Sequence, residues 1–326
     1  MNQLIALPYL PVYIQTVCTA IELDLFSNLS SWESADELAA ELNLHAESTR
    51  YMLGALCSLG FLEKEGSRYR NAEETQRYLV KGNPEYMGYY LLFSWYSGGT
   101  VPINVKDTVL HGPGPMPDMK INMDACRSLW DKPLPGCRDH EVLRFARALP
   151  EYEHIRRVLD LGCNVGMNGA QVIRDREGRS GVLFDRKSML AHMQKTVAFL
   201  NLEDRVELIG GDFFTDPMGG PYDLIIASSI MAYVQEDKDA FLRRIYEALA
   251  PGGVVLCITE ELEDDYSAPW DMVLGYLPQL LQGMPAGVLK GHVEQAAKEA
   301  GFCSIEKSEE TLSCGKQTIY ILRKER

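Results

Sequence analysis

The feature that most constrains this chain is a change of rhythm at Arg156, after which short apolar runs alternate with helix-compatible stretches as far as Leu322. The runs at 158–161, 181–184, 206–209, 223–227, 254–259, 303–307 and 318–322 are bounded by turn residues and too short for helices, so they read as buried strands. Strands joined through helices form a parallel sheet covered on both faces, because each crossover lays a helix against the sheet. The expectation is a seven-stranded, Rossmann-like α/β domain over residues 151–326. Such sheets hold ligands at the carboxyl ends of their strands.

The loops at that edge carry the strongest local pattern. The first strand runs into Val158-Leu159-Asp160-Leu161-Gly162-Cys163-Asn164-Val165-Gly166, a strand-to-helix turn of small residues. A nucleotide cofactor needs such a turn because the backbone must approach it more closely than side chains allow. The second strand ends at Asp185, near the spacing of an acid that accepts from ribose hydroxyls. Gly210-Gly211-Asp212-Phe213-Phe214 follows the third strand and offers a carboxylate for an adenine amine with an aromatic face beside it. The fourth strand ends at Ser228-Ser229, and Ala250-Pro251-Gly252-Gly253 leads into the fifth.

Ahead of this domain the pattern is helical. From Pro11 to Leu29, Ile14, Val17, Ile21 and Leu25 form one stripe. Ser34-Ala35-Asp36-Glu37 is a capping box for a helix to about Leu42, and a third helix spans Ala46 to Leu59. Glu65-Gly66-Ser67 then turns between two short strands over 61–70, completing a winged-helix pattern over 1–98. Residues 99–150, with His111-Gly112-Pro113-Gly114-Pro115, Met116, Met119, Met123 and Trp130, read as a helical linker and pocket-forming segment.

Charge decides against the usual partner of a winged helix. Between Ser31 and Asn71 four bases face seven acids, and the whole chain carries a formal charge of -14, the wrong sign for a phosphate backbone. Tyr51, Met52, Leu53, Leu56 and Leu59 on the third helix suit packing against protein. Leu4–Val17 lacks a basic leader and is broken by Pro8 and Pro11, so neither a signal peptide nor a membrane span is expected. The 8 cysteines show no closely spaced pair, and His111, His140, Cys126 and Cys137 lack ligand spacing, so buried thiols in a reducing cytoplasm and no metal are expected.

Taken together, Asp160 to Gly166, Asp185, Asp212 with Phe213, Ser228 and the Pro251-Gly252-Gly253 turn resemble class I methyltransferases dependent on S-adenosylmethionine (SAM). The front half resembles the winged-helix dimerisation domain of the small-molecule O-methyltransferases, so the resemblance covers nearly the whole chain. It implies SAM as cofactor, with Asp160, Gly162 and Gly166 at its methionine end, Asp185 at the ribose and Asp212 with Phe213 at the adenine. It also implies a homodimer through the N-terminal domain and a small-molecule substrate. Asn164 replaces the middle glycine of that family's loop, and asparagine tolerates the backbone angles required.

One departure concerns chemistry. Where the family has His-Asp and a tryptophan after the fourth strand, with the histidine as general base, this chain has Ile230-Met231-Ala232-Tyr233-Val234-Gln235. The acceptor atom (O, S, N or C) stays open: either the nucleophile is intrinsically reactive, such as a thiolate, an amine or a stabilised carbanion, or another residue takes the proton. Tyr233 and Glu260 are the catalytic candidates, while His111, His140, Asp271 and His292 could reach a pocket from elsewhere. Cys163 reads as small-residue packing. Two alternatives stand beside methyl transfer: a SAM-binding enzyme that catalyses decarboxylation or rearrangement, and a ligand-sensing winged-helix regulator.

Overall fold

The computed structural model describes residues 3–96, 105–113, 136–234, 238–283 and 287–326. The sequence readings at Gly114, Pro115, Met116, Met119, Met123, Cys126, Trp130 and Gln235 lie outside the described residues. Two compact units emerge, one holding 3–96 with 136–137 and the other 105–113 with 138–326.

The first unit contains α1 (Gln3–Ala6), α2 (Leu10–Glu22), β1 (Glu33–Ser34), α3 (Ala35–Glu41), α4 (Ala46–Ser58), β2 (Leu62–Glu65), β3 (Arg68–Asn71), α5 (Glu73–Tyr78) and α6 (Gly88–Ser94). The apolar stripe of α2 buries Val17, Cys18, Ala20 and Ile21. The helix stops short of Leu29 because the chain turns left-handed at Asp24 (φ 60), which drops Leu25, Phe26 and Leu29 into the core. At α3 the capping box forms: the Glu37 amide donates to Ser34 Oγ at 3.2 Å, and the Ser34 amide to Glu37 Oε2 at 2.9 Å. Helix α4 buries Leu53 and Leu56, but Tyr51 is 69% exposed. The β2–β3 hairpin turns at Gly66 (φ 58), and β1 joins its β3 edge antiparallel.

The second unit contains α7 (Val105–His111), α8 (Cys137–Arg147), β4 (Arg157–Leu161), α9 (Met167–Arg174), β5 (Ser180–Asp185), α10 (Leu190–Leu200), β6 (Val206–Gly210), β7 (Tyr222–Ser228), α11 (Lys238–Ala248), β8 (Leu249–Thr259), β9 (Glu261–Leu262), α12 (Trp270–Leu281), β10 (Val288–Leu289), α13 (His292–Ala300), β11 (Ser304–Leu312) and β12 (Gly315–Arg323). Seven strands form one sheet in the order β11-β12-β8-β7-β4-β5-β6. Period-two alternation fills both faces. Leu159, Leu161, Val182, Phe184, Ile225 and Val255 belong to one buried cluster, and Val158, Leu183, Leu224, Ile226, Val254 and Leu256 to the other.

The sheet is not parallel throughout. Strands β4 to β8 run parallel, whereas β12 pairs antiparallel with β8 and β11 antiparallel with β12. Only Ser313 and Cys314 separate β11 from β12, enough for a hairpin and far too few for a crossover helix.

Candidate functional site

The strand order reverses at β4, with β5 and β6 on one side and β7 and β8 on the other, and this places a crevice at the carboxyl ends of the central strands. The loop leaving β4 depends on residues that accept left-handed backbone. Gly162 (φ 66), Asn164 (φ 54) and Gly166 (φ 82) all adopt it. A Cβ on Gly162 would collide with Ile230, and one on Gly166 would stand 2.5 Å from Leu183 Cδ1. Asparagine therefore occupies a middle position that demands the same angles as glycine.

Asp160 is almost completely buried on a strand face otherwise lined by Val158, Leu183 and Ile226. Its Oδ2 accepts the Gly169 amide at 2.7 Å, so this carboxyl braces the first turn of α9 against β4. Burial raises its pKa from 3.8 to about 7, against the opposing Gly169 hydrogen bond and with smaller help from Asp139 and Asp185. Asp185 ends β5 at 6% exposure. Its Oδ2 accepts the Asn164 amide at 2.7 Å and its Oδ1 the Arg186 amide at 2.7 Å, fixing the carboxylate between two loops. Each oxygen keeps a further lone pair for a diol.

After β6, Asp212 is exposed, and its Oδ1 accepts the Phe214 amide at 3.0 Å. Phe213 is only 8% exposed and packs against Phe184, Phe214 and Phe241. The ring also reaches Gly162, where its Cζ would lie 3.3 Å from an added Cβ. It thus ties the third loop to the first from within the core. These features suit SAM: two glycines without room for side chains, an anchored strand-end carboxylate with spare acceptor capacity, and an exposed acid on the next loop.

On the other side of the crevice, Ser228 ends β7 beside Ile258 of β8. Glu260 follows β8 at 7% exposure, with Oε1 3.2 Å from Ser229 Oγ and Oε2 3.4 Å from the Tyr276 hydroxyl of α12. Tyr233 ends a short 3-10 turn in which Met231 and Ala232 are buried, while Tyr233 as a whole residue is 68% exposed. Partial enclosure and the Glu260 and Asp185 carboxylates push its phenol above the ordinary tyrosine value, with Arg186 opposing. Tyr233 and Glu260 therefore stand in one electrostatic neighbourhood with Asp185.

Sequence reasoning passed over Arg138 and Tyr276. Arg138 of α8 reaches Ser229, whose neighbour in the chain is Ser228, across 91 residues of sequence, and no local spacing announces such a contact. The isolated candidates sit otherwise. His111 pairs with Asp107 on its own helix at 2.9 Å, Asp271 Oδ1 accepts the Met272 amide at 3.0 Å, and His292 opens α13. The His140 imidazole is pushed down by burial and then by Arg147. Burial drives the Cys163 thiol well above its ordinary value, and its sulfur contacts Met193 Sδ at 3.2 Å. Among the described residues no cluster of three His, Cys, Asp or Glu is placed to hold a metal, and no helix is long and apolar enough to cross a membrane.

Comparison with known proteins adds the chemistry that geometry leaves open. Residues 137–306 match the family model of the methyltransferase domain, and residues 11–81 match the O-methyltransferase dimerisation domain. The chain is similar to a tetracenomycin polyketide synthesis 8-O-methyl transferase of Streptomyces glaucescens, 29% identical over 96% of this chain and 93% of that one. It is also similar to a 3-hydroxy-5-methyl-1-naphthoate 3-O-methyltransferase of Streptomyces sahachiroi, 28% identical over 80% of this chain and 77% of that one. The fold matches that of human N-acetylserotonin methyltransferase in complex with SAM, with a TM-score of 0.70 at 22% identity over 100% of this chain and 97% of that one.

Proposed function

The chain belongs to the methyltransferase family and moves the methyl group of SAM to a small metabolite, and from that premise we propose that the acceptor is a hydroxyl on an apolar, ring-bearing molecule whose proton passes to Glu260. The non-methylating alternative and the regulator draw no support from these matches. The observation that carries the reading is Glu260 itself, a nearly buried carboxylate at the sheet edge between two hydroxyls, in the neighbourhood of Asp185.

SAM, when bound, supplies a methyl carbon made electrophilic by its sulfonium. The residues proposed to hold it are Gly162, Asn164 and Gly166 at the β4 loop, Asp185 toward the ribose, Asp212 with Phe213 toward the adenine, and Ser228 at the end of β7. Asp160 acts one step back, by fixing the start of α9. Bound SAM would give its methyl group to the acceptor oxygen and leave as the neutral thioether, and Glu260 would take the proton that the oxygen loses. Orientation and exclusion of water supply most of the acceleration in such a displacement. Tyr233 is the weaker candidate for base, because a phenol held above its ordinary value keeps its proton. Helix α12, which brings Tyr276 to Glu260, also exposes Trp270 and Leu274, and an apolar acceptor suits that surface.

The first unit is read as a winged helix that dimerises. Support comes from the dimerisation match and from Ile5, Tyr9 and Val12, which are 65%, 68% and 64% exposed within one chain. The cytoplasmic setting stays part of the proposal and rests on the sequence, where no two cysteines are closely spaced. The domain limits 1–98, 99–150 and 151–326 remain the proposed division of labour. The test is methyl transfer from isotope-labelled SAM to a set of hydroxyarenes that includes 3-hydroxy-5-methyl-1-naphthoate. Labelled O-methyl product, with kcat reduced about 100-fold in Glu260→Gln, is expected. Product formed at the wild-type rate by that variant removes Glu260 as the base.

A further inference from the structure

Arg138 connects α8 to two distant parts of the second unit. Its Nη2 lies 3.1 Å from Ser229 Oγ and 2.9 Å from Oε1 of Gln317, a fully buried residue of β12. Ser229 Oγ lies in turn 3.2 Å from Glu260 Oε1. The direction of this chain of bonds is fixed, because a guanidinium only donates. The serine oxygen accepts from Arg138, which leaves its single proton for Glu260.

Both ends are held. Ser229 occupies left-handed backbone (φ 55), unusual for serine, and its amide donates to the Ile258 carbonyl at 2.8 Å. Glu141 Oε2 stands 3.8 Å from Arg138 Nη1, and Glu141 accepts the Ser313 amide at 2.7 Å and the Ser313 hydroxyl at 3.0 Å. A glutamate side chain loses considerable rotamer freedom when fixed, so a carboxylate that must meet a proton at a set place needs anchors. The two oxygens of Glu260 are not equivalent among the described residues: Oε1 is tied to the Arg138–Ser229 chain, and Oε2 has the long 3.4 Å contact to Tyr276.

We infer that Arg138 and Ser229 are positioning residues that orient Glu260 through Oε1 and leave Oε2 to take the acceptor proton. This rests on the proposed role of Glu260. The experiment compares kcat and KM for the wild-type chain, Ser229→Ala, Arg138→Met, Arg138→Lys and the Arg138→Met/Ser229→Ala double variant. The acceptor is whichever hydroxyarene of the labelled-SAM test turns over fastest. Expected are losses in kcat of about 10- to 100-fold for Ser229→Ala and Arg138→Met, with KM for SAM held within about twofold. Arg138→Lys recovers most of the rate, and the double variant is no worse than the poorer single one. A Ser229→Ala rate within about twofold of wild type, or losses that multiply in the double variant, overturns the inference.

Glu260→Gln separates the two levels. An unchanged rate there removes the base and the positioning role together, whereas a lost rate beside an intact Ser229→Ala rate removes the positioning role alone. A crystal structure of Ser229→Ala reads the same point without any acceptor. A Glu260 carboxylate shifted by more than about 0.5 Å supports the inference, and one left in place overturns it.

Discussion

Replacing Asp160 with asparagine changes one buried proton and almost nothing else, since the amide oxygen can still accept from Gly169. The wild-type carboxyl titrates at 3.8 when exposed and at about 7 when folded, because the apolar face of β4 penalises its ionised form. Below pH 3.8 both states are protonated, and the group contributes no pH dependence. Between 3.8 and about 7 the unfolded chain releases a proton that the folded chain keeps, so stability falls as pH rises. At ~1.4 kcal/mol per unit the full loss above that range is roughly 4 kcal/mol, and about 3 kcal/mol of it falls between pH 5 and pH 8. Urea unfolding of both chains at these two pH values, without added SAM, isolates the term, because the other titrating groups cancel in the difference. Asp160→Asn is expected to gain on wild type by that amount as pH rises. A difference constant to about 0.5 kcal/mol across the range refutes the buried, proton-holding carboxyl.

Gly162→Ala forces a side chain into left-handed backbone and against Ile230; a stability loss of roughly 2 kcal/mol or more in urea, with SAM binding lost by calorimetry, is expected. Asp185→Asn removes the charge from an acceptor that already orders Asn164, and SAM affinity should drop about tenfold or more; unchanged affinity places the ribose elsewhere. Tyr233→Phe should leave kcat within about threefold, whereas a loss near 100-fold makes the phenol part of the chemistry. Ser34→Ala breaks the capping box and should lower stability by about 1 kcal/mol, seen as a shift of the urea midpoint at constant slope.

Much of the fold was legible because its information is local. Strands buried on both faces write themselves as continuous apolar runs, left-handed turns call for Gly162, Asn164 and Gly166, and Ser34 with Glu37 caps a helix within four residues. What escaped is non-local or too short. The two-residue strand β1 has no period to detect, and Tyr51 follows the helical pattern of α4 yet faces out. Asp160, expected at the methionine end of SAM, is buried and accepts the Gly169 amide, a contact that its strand-end position does not announce. Phe213 also packs against three other aromatic rings, contacts that its loop position alone does not announce. Arg138 offered no sequence signal, since its meaning depends on Ser229, Glu260 and Gln317 meeting in space.

The antiparallel β12 carries a consequence for the order in which this machinery comes into being. The β4 loop, Asp185 and Asp212 span neighbouring units of strand and helix, so that half of the crevice closes through short loops. Gln317 meets Arg138 only across 179 residues of chain. Contacts so far apart in sequence come late in folding, because the entropy of closing the loop must be met before they contribute. A refolding chain is therefore expected to form the loops after β4, β5 and β6 first, and the Arg138–Gln317 contact only when the hairpin docks along β8.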